Sequence, residues 1–244
     1  MQCYTHTLPG GASLVGYLRE ETTEMPAFNT RPAMLILPGG GYAYCSSREA
    51  DPVAMQFLQA GYNVFILYYT CRGQESQPAL RWQPLIDAAG AILHIRKNAV
   101  QFHIDPAKVA VCGFSAGGHL AASTAILWDA EPVRQALGIC GKEALPDAVV
   151  LGYPVITSGE FRHDGSICNL CGDDAALRGT MSLENQVSDG LPPFYIWHTV
   201  EDASVPVQNS MLLATALTAH KVPFELHLFA HDGHGTSTLS LIHI

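Results

Sequence analysis

At 244 residues, 48% of them hydrophobic, the chain is long enough to bury one substantial core, and one domain over residues 1–244 is expected. A net charge of −9 without any basic stripe argues against nucleic acid and polyanionic ligands. Met1–Glu20 has no basic start followed by a long apolar run, so neither a signal peptide nor a membrane span is expected, and the default location is the cytoplasm.

The first twenty residues read as an antiparallel hairpin with Gly10 and Gly11 at its turn and Ser13–Leu18 as the returning strand. A polar linker covers Thr22–Pro32. The apolar strand Ala33–Leu37 then runs into Pro38-Gly39-Gly40-Gly41-Tyr42, where successive glycines let backbone N–H groups approach a ligand closely. No Lys-Ser or Lys-Thr pair follows, which excludes a P-loop. Asp51 is expected to cap a helix starting at Pro52, with Val53, Phe57 and Leu58 inward and Gly61 at its end. The continuous apolar run Asn63–Tyr69 suits a central parallel strand. Pro84 opens a second helix, in which Leu85, Ala89, Ile92 and Leu93 recur at helical spacing down to Asn98.

Residues 108–127 carry the most specific signal: a short apolar strand over Lys108–Cys112, a G-x-S-x-G turn centred on Ser115, and a helix-forming run. Such a strand-to-helix reversal forces the serine into a strained backbone and lifts its hydroxyl above the sheet, with Gly113 and Gly117 leaving room for the bend. A serine attacks only when a base takes its proton, and the base needs an orienting group. Two later strands end in candidates. Residues 192–199 lead to Asp202, before a helical run over 207–219, and Phe224–Phe229 leads to His234. Asp202 is preferred to its neighbour Glu201, and His234 to His231, which reads as a loop-stabilising residue. His119 shares a helix with Ser115 and is expected to pack or make a local hydrogen bond. His94 and His198, among apolar neighbours, read as satisfied core histidines. Gly40 and Gly41, with the N–H of Ala116, are the expected donors for an oxyanion.

These residues resemble the hormone-sensitive-lipase-like branch of the α/β-hydrolases, and within it bacterial acetyl esterases and acetylxylan or feruloyl esterases. The resemblance rests on Pro38–Tyr42, Gly113–Leu120, Asp202 with Val205 and Pro206, and His234 with Gly235, and it runs from about Arg31 to His234. It implies an α/β fold, a doubly wound and mostly parallel sheet. It further implies a serine carboxylesterase in which Ser115, His234 and Asp202 act together on short-chain acyl esters, acetylated sugars or xylan fragments above all, with neither metal nor organic cofactor; a peptidase or lipase on the same fold, or a non-catalytic binding protein, is the alternative. Many relatives have histidine where Pro38 stands, so the hydrogen-bond support of the glycine loop is expected to differ.

From Pro154 to Leu191 regular patterning dissolves, as expected of a cap-like insertion over the site, with Tyr42 and Tyr153 as candidate walls or packing residues. Seven scattered cysteines do not make a disulfide framework. Cys168 and Cys171, with His163 nearby, outline a metal or redox motif, but no second pair supplies the remaining ligands and no metal is expected. Leu239–Ile244 reads as a non-native tail, since a transposon end used in sequencing libraries would encode it, and the α/β-hydrolase closing helix after His234 is missing. The natural chain is therefore expected to continue.

Overall fold

A computed structural model describes residues 1–237. The hairpin forms as expected, with β1 at Gln2–Thr7 and β2 at Ser13–Leu18, and its turn uses Gly11 at φ +91. The chain continues through β3 (Arg31–Leu37), α1 (Asp51–Gln59), β4 (Asn63–Tyr68), α2 (Gln83–Lys97), β5 (Ile104–Phe114) and α3 (Ala116–Ile126). A short α4 (Glu131–Leu137), absent from the sequence reading, precedes β6 (Ala148–Gly152). The insertion holds α5 (Asp164–Cys171) and α6 (Ala175–Thr180), and β7 (Phe194–Thr199), α7 (Gln208–Ala219) and β8 (Phe224–Phe229) follow.

These strands form one eight-stranded sheet in the order β1-β2-β4-β3-β5-β6-β7-β8, antiparallel through β1, β2 and β4 and parallel from β4 to β8. This is the α/β-hydrolase fold. Alternation along the central strands sends Leu35, Leu37, Phe65 and Leu67 into the larger core, covered by α2, α3 and α7. Met34, Ile36, Val64 and Ile66 face the other way, against Val53, Ala54 and Leu58 of α1. Among the described residues α1 is the only helix on that face, and towards β7 Tyr195 remains 39% exposed. The expected non-native tail at 239–244 lies outside the described residues. No described helix is long and apolar enough to cross a membrane.

Two local expectations need correction. Asp51 does not cap α1: Ala50 occupies that position, and Asp51 is the first helical residue. Its carboxylate still lies at the positive end of the helix and accepts a 2.5 Å hydrogen bond from the Tyr17 hydroxyl. The strand leading to Ser115 begins at Ile104, four residues earlier than expected, because Arg31 of β3 pairs with Ile104 across an irregularity in the ladder.

Candidate active site

Ser115 sits between β5 and α3 at φ 54, ψ −121, a conformation that costs on the order of 1–3 kcal/mol and persists only when neighbours over-determine it. They do. The Ser115 N–H donates to the Gly152 carbonyl at 3.0 Å, and its carbonyl accepts from the N–H groups of His119 and Val155. The flanking glycines are sterically required, since a Cβ on Gly113 would collide with the Gly117 carbonyl and one on Gly117 with the carbonyls of Leu37 and Pro38. The bend therefore presses α3 against the tips of β3 and β5, leaving every residue of α3 buried.

Residues from three distant segments meet at this turn. The Ser115 hydroxyl donates to His234 Nε2 at 2.9 Å, and His234 Nδ1–H donates to Asp202 Oδ2 at 2.6 Å. Asp202 is clamped by its own loop, its Oδ1 accepting from the N–H groups of Ser204 and Val205 at 2.9 Å each. Burial of this carboxyl would raise its pKa, but hydrogen bonds from His198, His234 and the Val205 N–H outweigh that and hold it well below the usual carboxylate range. The ring of Tyr153 stands edge-on to that of His234, with centroids 5.0 Å apart. The rival residues are elsewhere: Glu201 and His231 pair with each other at 3.0 Å in the exposed rim.

His198 is a buried histidine, as expected, yet it also touches the site. Ser210 donates to its Nδ1 at 2.7 Å, its Nε2–H donates to the Val205 carbonyl at 2.9 Å, and the same nitrogen lies 3.4 Å from Asp202 Oδ2. His94 is half-buried, hydrogen-bonded to the Tyr4 hydroxyl at 2.7 Å and stacked on His6.

His119 is fully enclosed: the Tyr42 hydroxyl donates to Nδ1 at 2.8 Å and Nε2–H donates to the Met181 carbonyl at 2.9 Å. Burial lowers its pKa to about 4, so unfolded chains take up a proton near pH 6.5 that the folded state resists. The linked stability is complete above that value and is lost as pH falls towards 4. Urea unfolding should accordingly show a loss of about 2 kcal/mol from this residue between pH 7.5 and pH 5. A His119→Gln variant with the wild-type pH slope would contradict this origin.

The glycine loop that carries the expected oxyanion donors is braced without a histidine at position 38. Tyr69 donates its hydroxyl to the Pro38 carbonyl at 2.6 Å, and the buried Glu49 carboxylate accepts the Gly39 N–H at 2.7 Å. Asn169 of α5 donates to the Gly41 carbonyl at 2.9 Å. Gly40 and Gly41 adopt φ of +121 and +65, where side chains are disfavoured, and both line a cleft of about 250 Å³ beside Ser115 and His234. Ala116 follows Ser115 as the first residue of α3, where an N–H has no intrahelical partner. A larger groove of about 710 Å³ lies between α2 and residues 138–147 and contains none of these groups.

Sequence reasoning missed His163, Arg48 and Ser204, which also line the cleft. It missed Glu49 as well, which holds the loop, and left the tyrosines open; both are buried packing residues, with Tyr153 donating its hydroxyl to Glu49 at 2.7 Å. His163 caps α5 with its imidazole, while Cys168 is exposed and Cys171 buried. Among the described residues no cluster of three or more His, Cys, Asp or Glu side chains is placed to hold a metal ion.

Fold and relatives make this chain an α/β-hydrolase of the esterase type. It belongs to the BD-FAE family, whose model matches residues 23–156, and the prolyl oligopeptidase family model matches residues 172–241. The chain is 43% identical over 209 residues to endo-1,4-beta-xylanase B of Butyrivibrio fibrisolvens, covering 84% of this chain and 32% of that protein. It is 28% identical over 211 residues to the acetylxylan esterase of Xylanibacter ruminicola, covering 83% of this chain and 40% of that one. The chain thus spans well under half the length of these curated relatives. Among solved structures, the acetyl ester-xyloside bifunctional hydrolase of Caldicellulosiruptor lactoaceticus superposes with a TM-score of 0.80 at 37% identity, covering 96% of this chain and 82% of that one. The carboxylesterase Cest-2923 of Lactobacillus plantarum superposes at 0.85 with 27% identity, covering 97% and 86%.

Proposed function

We propose that this chain is a serine carboxylesterase that removes short acyl groups, acetyl above all, from sugars or xylan fragments. The observation that carries the reading is the unbroken contact from Ser115 Oγ through His234 to the buried Asp202 carboxylate, opening on a small cleft. Ser115 attacks the ester carbonyl as His234 Nε2 takes its proton. Asp202 holds the imidazole with Nδ1 protonated and stabilises the imidazolium that forms. The N–H groups of Gly40, Gly41 and Ala116 receive the oxyanion. His234 returns the proton to the departing alcohol, and water activated by the same imidazole then releases the acyl group from Ser115.

Short chains are favoured because the cleft, at about 250 Å³, is smaller than most small-molecule pockets. Xylan fragments are favoured by what the Caldicellulosiruptor and Xylanibacter proteins are named for. Nitrophenyl esters from acetate to octanoate, with an acetylated xylo-oligosaccharide alongside, test both parts. Acetate should be turned over best, with kcat/KM falling about tenfold or more by octanoate, and the oligosaccharide should release acetate. Preference for octanoate would make the protein a lipase, and preferential cleavage of a prolyl anilide would favour the peptidase reading raised by the match at residues 172–241.

A further inference from the structure

The cap-like insertion contributes one side chain to the cleft whose chemistry the proposed mechanism leaves unused. His163 precedes α5, and its Nδ1 accepts from the Ser166 hydroxyl at 2.8 Å and from the Ser166 N–H at 3.2 Å. With Nδ1 occupied as an acceptor, the neutral ring carries its proton on Nε2. Nε2 has no hydrogen-bond partner among the described residues, and the ring lines the cleft with Ser115, Gly40 and Gly41. Its Cε1 lies 3.9 Å from where a Cβ on Gly41 would stand. A donor of fixed orientation therefore borders the space that a bound ester would fill.

What this donor serves follows by elimination. An acetyl group has one polar atom, its carbonyl oxygen, and that atom is met by the backbone donors of the glycine loop and α3. Every further oxygen belongs to the alcohol half, which must lie within proton-transfer reach of His234 Nε2. His163 is close enough to His234 for the two charges to repel; together with burial, the larger cause, this lowers its pKa and keeps the ring neutral. A neutral single donor suits a hydroxyl or ether oxygen better than a carboxylate, which would recruit a cation.

Resting on the esterase reading above, we infer that His163 is a specificity-determining residue whose Nε2–H hydrogen-bonds a hydroxyl or ring oxygen of the sugar that leaves. The test separates this from its capping role. Asparagine is itself a good helix cap, so His163→Asn preserves the bond to the Ser166 N–H but withdraws the donor from the cleft. His163→Gln offers an amide donor with longer reach. On the acetylated xylo-oligosaccharide, His163→Asn should lose about tenfold or more in kcat/KM, chiefly through KM, with partial recovery in His163→Gln. On nitrophenyl acetate, whose alcohol half offers no sugar oxygen at that position, both variants should stay within about threefold of wild type, with Tm unchanged. Equal losses on the two esters, or a fall in Tm that accounts for the loss, would overturn the inference and leave His163 a structural cap. If wild-type protein hydrolysed neither ester, the esterase reading itself would fail, a result distinct from selective loss on the sugar.

Discussion

Replacing Ser115 by alanine is expected to lower kcat/KM on nitrophenyl acetate by about 100,000-fold or more, because the attacking atom is removed while the machinery built to serve it remains. The substitution deletes one oxygen at a backbone position fixed by the Gly152, His119 and Val155 hydrogen bonds, so the turn has no new reason to rearrange. Thermal unfolding should therefore stay near wild type or shift slightly upwards, since a polar atom wedged at a strained bend is lost. Mass spectrometry of protein treated with a fluorophosphonate gives an independent readout: wild type should gain one adduct on the peptide containing Ser115, and the variant none. Ester turnover that survives the substitution would point to a binding protein carrying a contaminating activity.

Asp202→Asn should cost about 10,000-fold in kcat while leaving the fold intact. Asp202 Oδ1 accepts two backbone N–H groups, so an asparagine must keep its carbonyl oxygen there and turn its NH₂ towards the position of Oδ2. That position faces His234 Nδ1, which donates to it, while His198 Nε2 lies 3.4 Å away. An amide donor there drives His234 into the tautomer with its proton on Nε2, which cannot accept from Ser115. The variant should recover activity as pH rises and hydroxide substitutes for the missing base, whereas wild type should level off. A variant that keeps more than a tenth of wild-type kcat at neutral pH would mean that another group orients the imidazole.

Much of this site was legible from sequence because its decisive features are either local or tied to strand ends. The bend at Ser115 needs only a strand, two glycines and a helix within one short stretch. Asp202 and His234 follow from chain order, since a parallel sheet brings all its strand-to-helix loops to one edge. What escaped was set by contacts between segments far apart in the chain. His163 enters the cleft because α5 docks through Asn169 onto the Gly41 carbonyl, and no periodicity foretells where an irregular insertion comes to rest. Nothing local in Ser47-Arg48-Glu49 marks the role of Glu49, which arises only because the fold buries it against Gly39 and Tyr153. Asp51 failed as a cap because capping depends on the backbone angles of the residue at the boundary, and Ala50 took that place.

The Tyr153 hydroxyl donates to Glu49 and accepts the Ser237 N–H at 2.8 Å, while Glu49 grips Gly39. One phenol at the tip of β6 thus links the amide-bearing loop after β3 to the segment that delivers the imidazole. Swinging the histidine segment outward would strip Tyr153 of a partner and slacken the Gly39 anchor in the same movement. The His234 segment and the Gly39 anchor are consequently set to loosen, and to tighten, as a single mechanical unit.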